Sequence, residues 1–118
     1  MSELADVNLS LVNDVFIKEM VFREKGWKAL SHAHIYDHQT LLASGALRVT
    51  VDGEARDYRA PKIIVVQAGK YHMMESLEPN TVAYCIHAVK GGASIDEAEP
   101  LVEGTPNAAL PSLRPLFF

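Results

Sequence analysis

Four of the five histidines in this 118-residue chain lie at spacings that suit coordination of a metal ion: His32, His34, His38 and His72. Three of them occur in one stretch, GWKALSHAHIYDHQTLLASG, which runs from Gly26 to Gly45. Imidazole nitrogens are common ligands of divalent transition metals. The chemistry that this pattern indicates is therefore the binding of one such ion.

The spacing sets a condition on the fold. Alternate residues of a strand share a face, so His32 and His34 are expected to point the same way, about 6.5–7 Å apart. In a straight strand, His38 would lie about 13 Å beyond His34. We therefore expect a bend at residues 36–37, and His72 must approach from another strand. A single histidine is more often solvated or hydrogen-bonded than metal-bound, so the prediction depends on all four together.

The elements that would position these residues are short strands. Apolar or alternating segments are separated by turn residues, and no segment has sustained helical periodicity. Asp52-Gly53 is a strong hairpin signal, and the apolar run Ile63–Val66 is typical of a buried strand. Together they predict an all-β sandwich or barrel, with strands near residues 15–22, 30–35, 38–43, 47–51, 55–60, 63–66, 71–76 and 81–89.

The chain is short enough for one domain with three parts. Residues 1–14 are expected to be an N-terminal arm, residues 15–90 the barrel, and residues 91–118 a proline-rich C-terminal tail. A proline-rich segment cannot be a central strand. This tail is either a flexible end or an arm whose apolar tip, Leu116–Phe118, docks on its own barrel or on a second subunit.

Composition excludes several classes of partner. The net charge is -4 and the hydrophobic fraction is 48%, so there is no basic surface for nucleic acid, and no apolar run is long enough to cross a membrane. The first residues do not resemble a signal peptide. Cys85 is the single cysteine, which excludes an internal disulfide and favours a cytoplasmic location.

The histidine-rich stretch resembles the first cupin motif, Gly-x5-His-x-His-x3,4-Glu-x6-Gly. Both glycines and both leading histidines match, and His38 stands where the family usually has glutamate. The second motif, Gly-x5-Pro-x-Gly-x2-His-x3-Asn, is matched at Gly69 and His72, while other residues replace its first Gly, its Pro and its Asn, namely Pro61, Gln67 and Ser76. The chain is thus similar to small single-domain cupins, including cupin-like proteins of phage and marine bacteria.

The resemblance implies a double-stranded β-helix, or jelly-roll barrel, with His32, His34, His38 and His72 as metal ligands. Four neutral imidazoles would leave a divalent ion its full charge, which favours an anionic or chelating guest. Such ligands suit Fe, Ni, Zn or Cu better than Mg or Ca. An octahedral ion would keep two open positions, whereas a tetrahedral zinc would be closed and structural. Small cupins also commonly pair, so a homodimer is expected.

Several functions are compatible with this pattern. The first is a metal-dependent enzyme (an oxygenase, isomerase or lyase) acting on a small polar or anionic metabolite, with Tyr36 and His87 as candidates for proton transfer. The alternatives are a non-catalytic small-molecule or metal-binding module, and a structural or interaction protein. His87 could also be a donor to a metal ligand or a surface histidine, and Cys85 is expected to be a small buried hydrophobe.

Overall fold

The computed structural model describes residues 3–30, 38–67 and 69–88, and every regular element in these ranges is a β-strand. The strands are β1 (Asp6–Val12), β2 (Val15–Phe22), β3 (Lys28–Leu30), β4 (His38–Ser44), β5 (Ala46–Val51), β6 (Glu54–Arg59), β7 (Lys62–Val66), β8 (His72–Ser76) and β9 (Thr81–Ala88). Within those ranges no helix is long and apolar enough to span a membrane. The predicted all-β class is confirmed.

The strands form two antiparallel sheets. The five-stranded sheet has the order β1-β2-β9-β4-β7, and the four-stranded sheet has the order β3-β8-β5-β6. Their inner faces enclose the hydrophobic core, because residues of one parity along each strand point inwards. The buried apolar side chains of this core include Met20, Phe22, Leu42, Leu47, Val49, Ile64, Val66, Met74 and Ala83.

Two-residue hairpins connect two of the strand pairs. Asp52 and Gly53 have φ values of 48° and 85° between β5 and β6, as expected for the type I′ turn that suits a twisted hairpin. Asn13 and Asp14 also have positive φ and link β1 to β2. The region predicted as an N-terminal arm therefore contributes an edge strand, β1, to the five-stranded sheet.

The glycine that ends the first motif is required by close packing. Gly45 has a φ of 81°, and a Cβ added there would lie 2.7 Å from the Thr81 Cα. The buried Thr81 hydroxyl accepts a hydrogen bond from the Ala46 N–H at 3.2 Å. No side chain fits between the β4–β5 turn and the start of β9.

One end of the barrel, which we call the Ser76 end, is closed by hydrogen bonds. The buried Ser76 hydroxyl donates to the Glu24 carbonyl at 2.6 Å and accepts from the Trp27 N–H at 3.0 Å. Ser76 also donates its backbone N–H to the Trp27 carbonyl at 2.9 Å. Trp27 itself is partly buried and packs against the core.

Strand β7 corrects one prediction. Ile63–Val66 is predicted to be a buried strand, but β7 lies at the edge of its sheet among the described strands, and its outer residues Ile63 and Val65 are 58% and 50% exposed. Only Ile64 and Val66 face the core. Ile63 lies opposite Leu41, and Leu41 lies opposite Tyr84, so an apolar row continues across the outside of the sheet.

Candidate metal and ligand site

The polar residues at the opposite end of the barrel come from several strands. On the five-stranded sheet, β2 and β9 place Phe16 opposite His87 and Lys18 opposite Cys85. Cys85 is also opposite Thr40 of β4, and the Thr40 Oγ1 and Cys85 Sγ atoms are 3.4 Å apart. Thr40, Cys85 and His87 are buried.

His38 occupies a strand position in the same region. It begins β4 opposite Val66. The Phe16–His87 pair of β2 and β9 and the His38–Val66 pair of β4 and β7 therefore both belong to this end of the five-stranded sheet.

His72 lies on the other sheet, within reach of the charge of Lys18 on β2. It begins β8 opposite Val51 of β5, and alternate residues of β8 are buried, starting with His72 itself. His72 is 4% exposed and His87 is 1% exposed. Two imidazoles on opposing sheets are thus buried at the same end, which we call the histidine end.

Burial keeps both imidazoles neutral. It lowers the pKa of His72 to about 4, helped by the positive charge of Lys18 and opposed by a hydrogen bond with the Lys70 backbone. Burial likewise lowers the pKa of His87 to about 4. Removing a cation from water is costly, so the uncharged ring is the stable form at neutral pH. A neutral imidazole is also the form that coordinates a metal.

A pocket of about 300 Å³ opens beside the histidine end, between β5 and β6 of one sheet and β7 of the other. Its apolar walls include Val51, which lies opposite His72, and Val66, which lies opposite His38. Its polar lining residues are Glu54, Arg56, Tyr58, Gln67 and Lys70. This volume is at the lower end of the range for small-molecule sites.

The structure describes only some of the predicted site residues. His32, His34 and Tyr36 lie outside the described residues, and His38 is described by its backbone alone. Among the residues that the structure describes, no three His, Cys, Asp or Glu side chains lie close enough to hold a metal ion. His72 is the predicted ligand whose side chain is described, and its donor chemistry fits a transition metal because it is buried and uncharged.

The structure also narrows the other candidates. His87 is buried, so it is not a surface histidine. Cys85 is buried, as expected.

Sequence reasoning missed Lys18. It lies opposite Cys85 and has the same parity as its buried neighbours Phe16 and Met20, so it stands on the inner face of the sheet. Its charge acts on His72 of the opposing sheet. The sequence did hold a sign of this, because Lys18 alternates with Phe16, Met20 and Phe22 along β2. The alternation was hard to see because β2 has apolar residues on both faces.

Comparison with solved structures identifies the fold. No protein-family model matches the chain, and no curated protein matches it. It is similar to an RmlC-like cupin family protein with a double-stranded β-helix fold from Methanocaldococcus jannaschii, with a TM-score of 0.62 and 16% identity over 73% of this chain and 81% of that one. KdgF from Halomonas sp. is similar with a TM-score of 0.58 and 21% identity, over 68% and 74% of the two chains.

A third similar structure is a protein with a double-stranded β-helix domain from Klebsiella pneumoniae, with a TM-score of 0.62 and 19% identity over 72% of this chain and 76% of that one. At such identities the similarity shows the fold and not the activity. The chain is a cupin-type double-stranded β-helix, as the motif resemblance predicts.

Proposed function

We propose that this chain is a metal-binding cupin, in which His32, His34, His38 and His72 hold one divalent transition metal (Fe, Ni, Zn or Cu). We further propose that it acts in the cytoplasm on a small polar or anionic metabolite bound in the adjoining pocket. An enzyme of the oxygenase, isomerase or lyase class is the favoured form of this activity.

The observation that carries the proposal is the position and state of His72. It is buried, uncharged at neutral pH, and opposite a residue that lines the pocket. Burying a polar imidazole ring costs free energy unless interactions inside the protein replace those lost with water. His38 supports the proposal because it lies opposite Val66, a second residue lining the same pocket.

When bound, the metal would act as a Lewis acid toward an oxygen atom of the guest. The chain itself would supply the enclosure. Val51 and Val66 would exclude water from one side of the guest, and His87 would stand beside the ligand position of β4. Tyr36 is retained as a candidate for proton transfer, together with His87.

Metal content tests the proposal. The purified full-length chain, equilibrated with Zn, Fe, Ni or Cu salts and then desalted, should retain about one equivalent of a transition metal by emission spectrometry. His72→Ala should lose the metal. His87→Gln is the matched control, because it alters a buried histidine of the same end that is outside the proposed ligand set, and it should retain the metal.

Two results would contradict the ligand assignment. One is a wild-type chain that holds no metal under any of these conditions. The other is a His72→Ala variant that stays folded by circular dichroism and still retains a full equivalent.

A non-catalytic binding module is the second candidate, and one observation favours it. A general base works best with a pKa near the operating pH, whereas the pKa of His87 is about 4. His87 is therefore a weak base at neutral pH. NMR of a ligand mixed with the metal-loaded chain would distinguish the two. A ligand that binds and is not converted into a product would support the binding module over an enzyme.

The predicted homodimer is retained as part of the proposal. The exposed Ile63 and Val65 on edge strand β7 support it, since burying such side chains against a second copy would remove apolar area from water.

A further inference from the structure

The inner lip of the pocket carries a polar strip on an edge strand. Strand β6 pairs with β5 so that Glu54 lies opposite Val51, Arg56 opposite Val49, and Tyr58 opposite Leu47. Those three β5 residues belong to the core or pack against it, so the β6 residues share the inward-facing side of the sheet. All three also line the pocket.

Arg56 pairs with its neighbour Glu54, and both side chains are exposed at the mouth of the pocket. Its Nε and Nη2 atoms both donate to one carboxylate oxygen of Glu54, each at 2.8 Å. This hydrogen bond, followed by the attraction of the Glu54 charge, raises the pKa of Arg56, and Tyr58 adds a smaller contribution. A guanidinium has five N–H donors in a planar fork, so Arg56 can donate to a bound guest as well as to Glu54.

Charged residues on an edge strand often serve only to prevent strand pairing between molecules. Arg59 and Asp57, on the same strand, fit that reading. Arg59 pairs with Glu78 at 3.0 Å, and Asp57 pairs with Arg48 at 2.8 Å. Neither Arg59 nor Asp57 lines the pocket, whereas Arg56 does.

We propose that Arg56 anchors the carboxylate of a small ligand whose apolar body lies along the valine wall of the pocket. The wall is formed by Val49, Val51 and Val66 together with Ile64. These apolar side chains can pack against the body of the acid, but its carboxylate needs a polar partner elsewhere in the pocket. Lys70 adds a second positive charge to the lining, so the lysine and arginine charges together exceed that of Glu54.

The register also gives the ligand a direction. The Glu54, Val51 and His72 positions form one row across β6, β5 and β8, and Arg56 stands in the next row beside Val49 and Met74. Neighbouring strands are about 4.8 Å apart, so the β6 lip lies about 10 Å from β8. A short acid held at Arg56 would therefore extend toward the histidine end. This inference rests on the proposed function, because it takes the same pocket as the ligand site.

The test uses isovalerate and its neutral analogue isovaleramide as probes, titrated into the full chain and followed by NMR, with and without zinc. We expect isovalerate to shift the signals of pocket residues and isovaleramide to bind at least about fivefold more weakly. Arg56→Gln should weaken isovalerate binding at least about fivefold. Arg59→Gln, on the same strand but outside the pocket, is the matched control and should leave binding unchanged.

The outcomes separate this inference from the proposed function. Arg56-dependent binding of isovalerate by a chain that takes up no metal would support the anchor and remove the metal site. Retention of zinc without any difference between Arg56→Gln and wild type would overturn the anchor and leave the metal site standing. Equal binding of acid and amide would also overturn the anchor.

Discussion

Acidification should destabilise the barrel through its two buried histidines, and His87→Leu should remove a defined part of that effect. The pKa values of His72 and His87 in the folded chain are about 4, whereas an exposed histidine titrates at about 6.5. Between these values the unfolded chain binds protons that the folded chain does not. Stability is therefore full above about pH 6.5 and is lost as the pH falls toward about 4.

The magnitude follows from the two pKa values. For one histidine with a folded pKa of about 4, proton linkage predicts a loss of about 2 kcal/mol at pH 5 and about 3 kcal/mol at pH 4. Two such residues would lose about 4 kcal/mol at pH 5. This is a large part of the roughly 5–15 kcal/mol that stabilises a typical domain.

The assay is urea unfolding of the metal-free chain, in the presence of a chelator, at about pH 7.5 and pH 5. The loss of unfolding free energy between the two pH values should be about 2 kcal/mol smaller in His87→Leu than in wild type. Leucine fills the site opposite Phe16 with an apolar side chain of similar size and removes the titrating group. Thr40→Val, a buried and non-titrating change at the same end, should preserve the wild-type pH dependence.

The reasoning would be refuted by a His87→Leu variant with the same loss of stability on acidification as wild type. It would also be refuted if the imidazole NMR signals of His87 titrated near pH 6.5 in the folded chain.

Two further predictions concern the backbone and the outer surface. Gly45→Ala should cost about 2–4 kcal/mol of unfolding free energy, because the added Cβ would meet Thr81 at a position with positive φ. Gly53→Ala, where a Cβ would lie in open space, should cost only about 1 kcal/mol. Similar urea midpoints for the two variants would contradict this prediction. In sedimentation experiments the wild-type chain should be a dimer that Ile63→Lys weakens, since the change places a charge beside Val65 in the apolar surface, and a wild-type monomer would contradict this.

Local sequence was enough to predict most of the strands. Ala46–Val51 alternates apolar and polar residues and is followed by Asp52-Gly53, so both the strand and its turn could be predicted. The cupin motif then indicated how such strands assemble. The pairing of β2 with β9 could not be read locally, because it joins segments that are far apart in the sequence.

Side-chain orientation was the part of the site that sequence could not supply. The sequence predicts a strand near residues 55–60, and only its register with β5 places Arg56 at the pocket. Lys18 was hidden by a strand that is apolar on both faces. The burial of His72 and His87 depends on the opposing sheet, which no local pattern reveals.

The pairing of β2 with β9 has a consequence for how the protein is made. The histidine end draws on β2, β4, β8 and β9, so its inner surface is incomplete until β9 has left the ribosome. Bringing such distant segments together lowers the entropy of the chain before any stabilising contact has formed, and this slows folding. During synthesis, the apolar side chains of β2 therefore stay exposed to water until β9, their partner strand, has been translated.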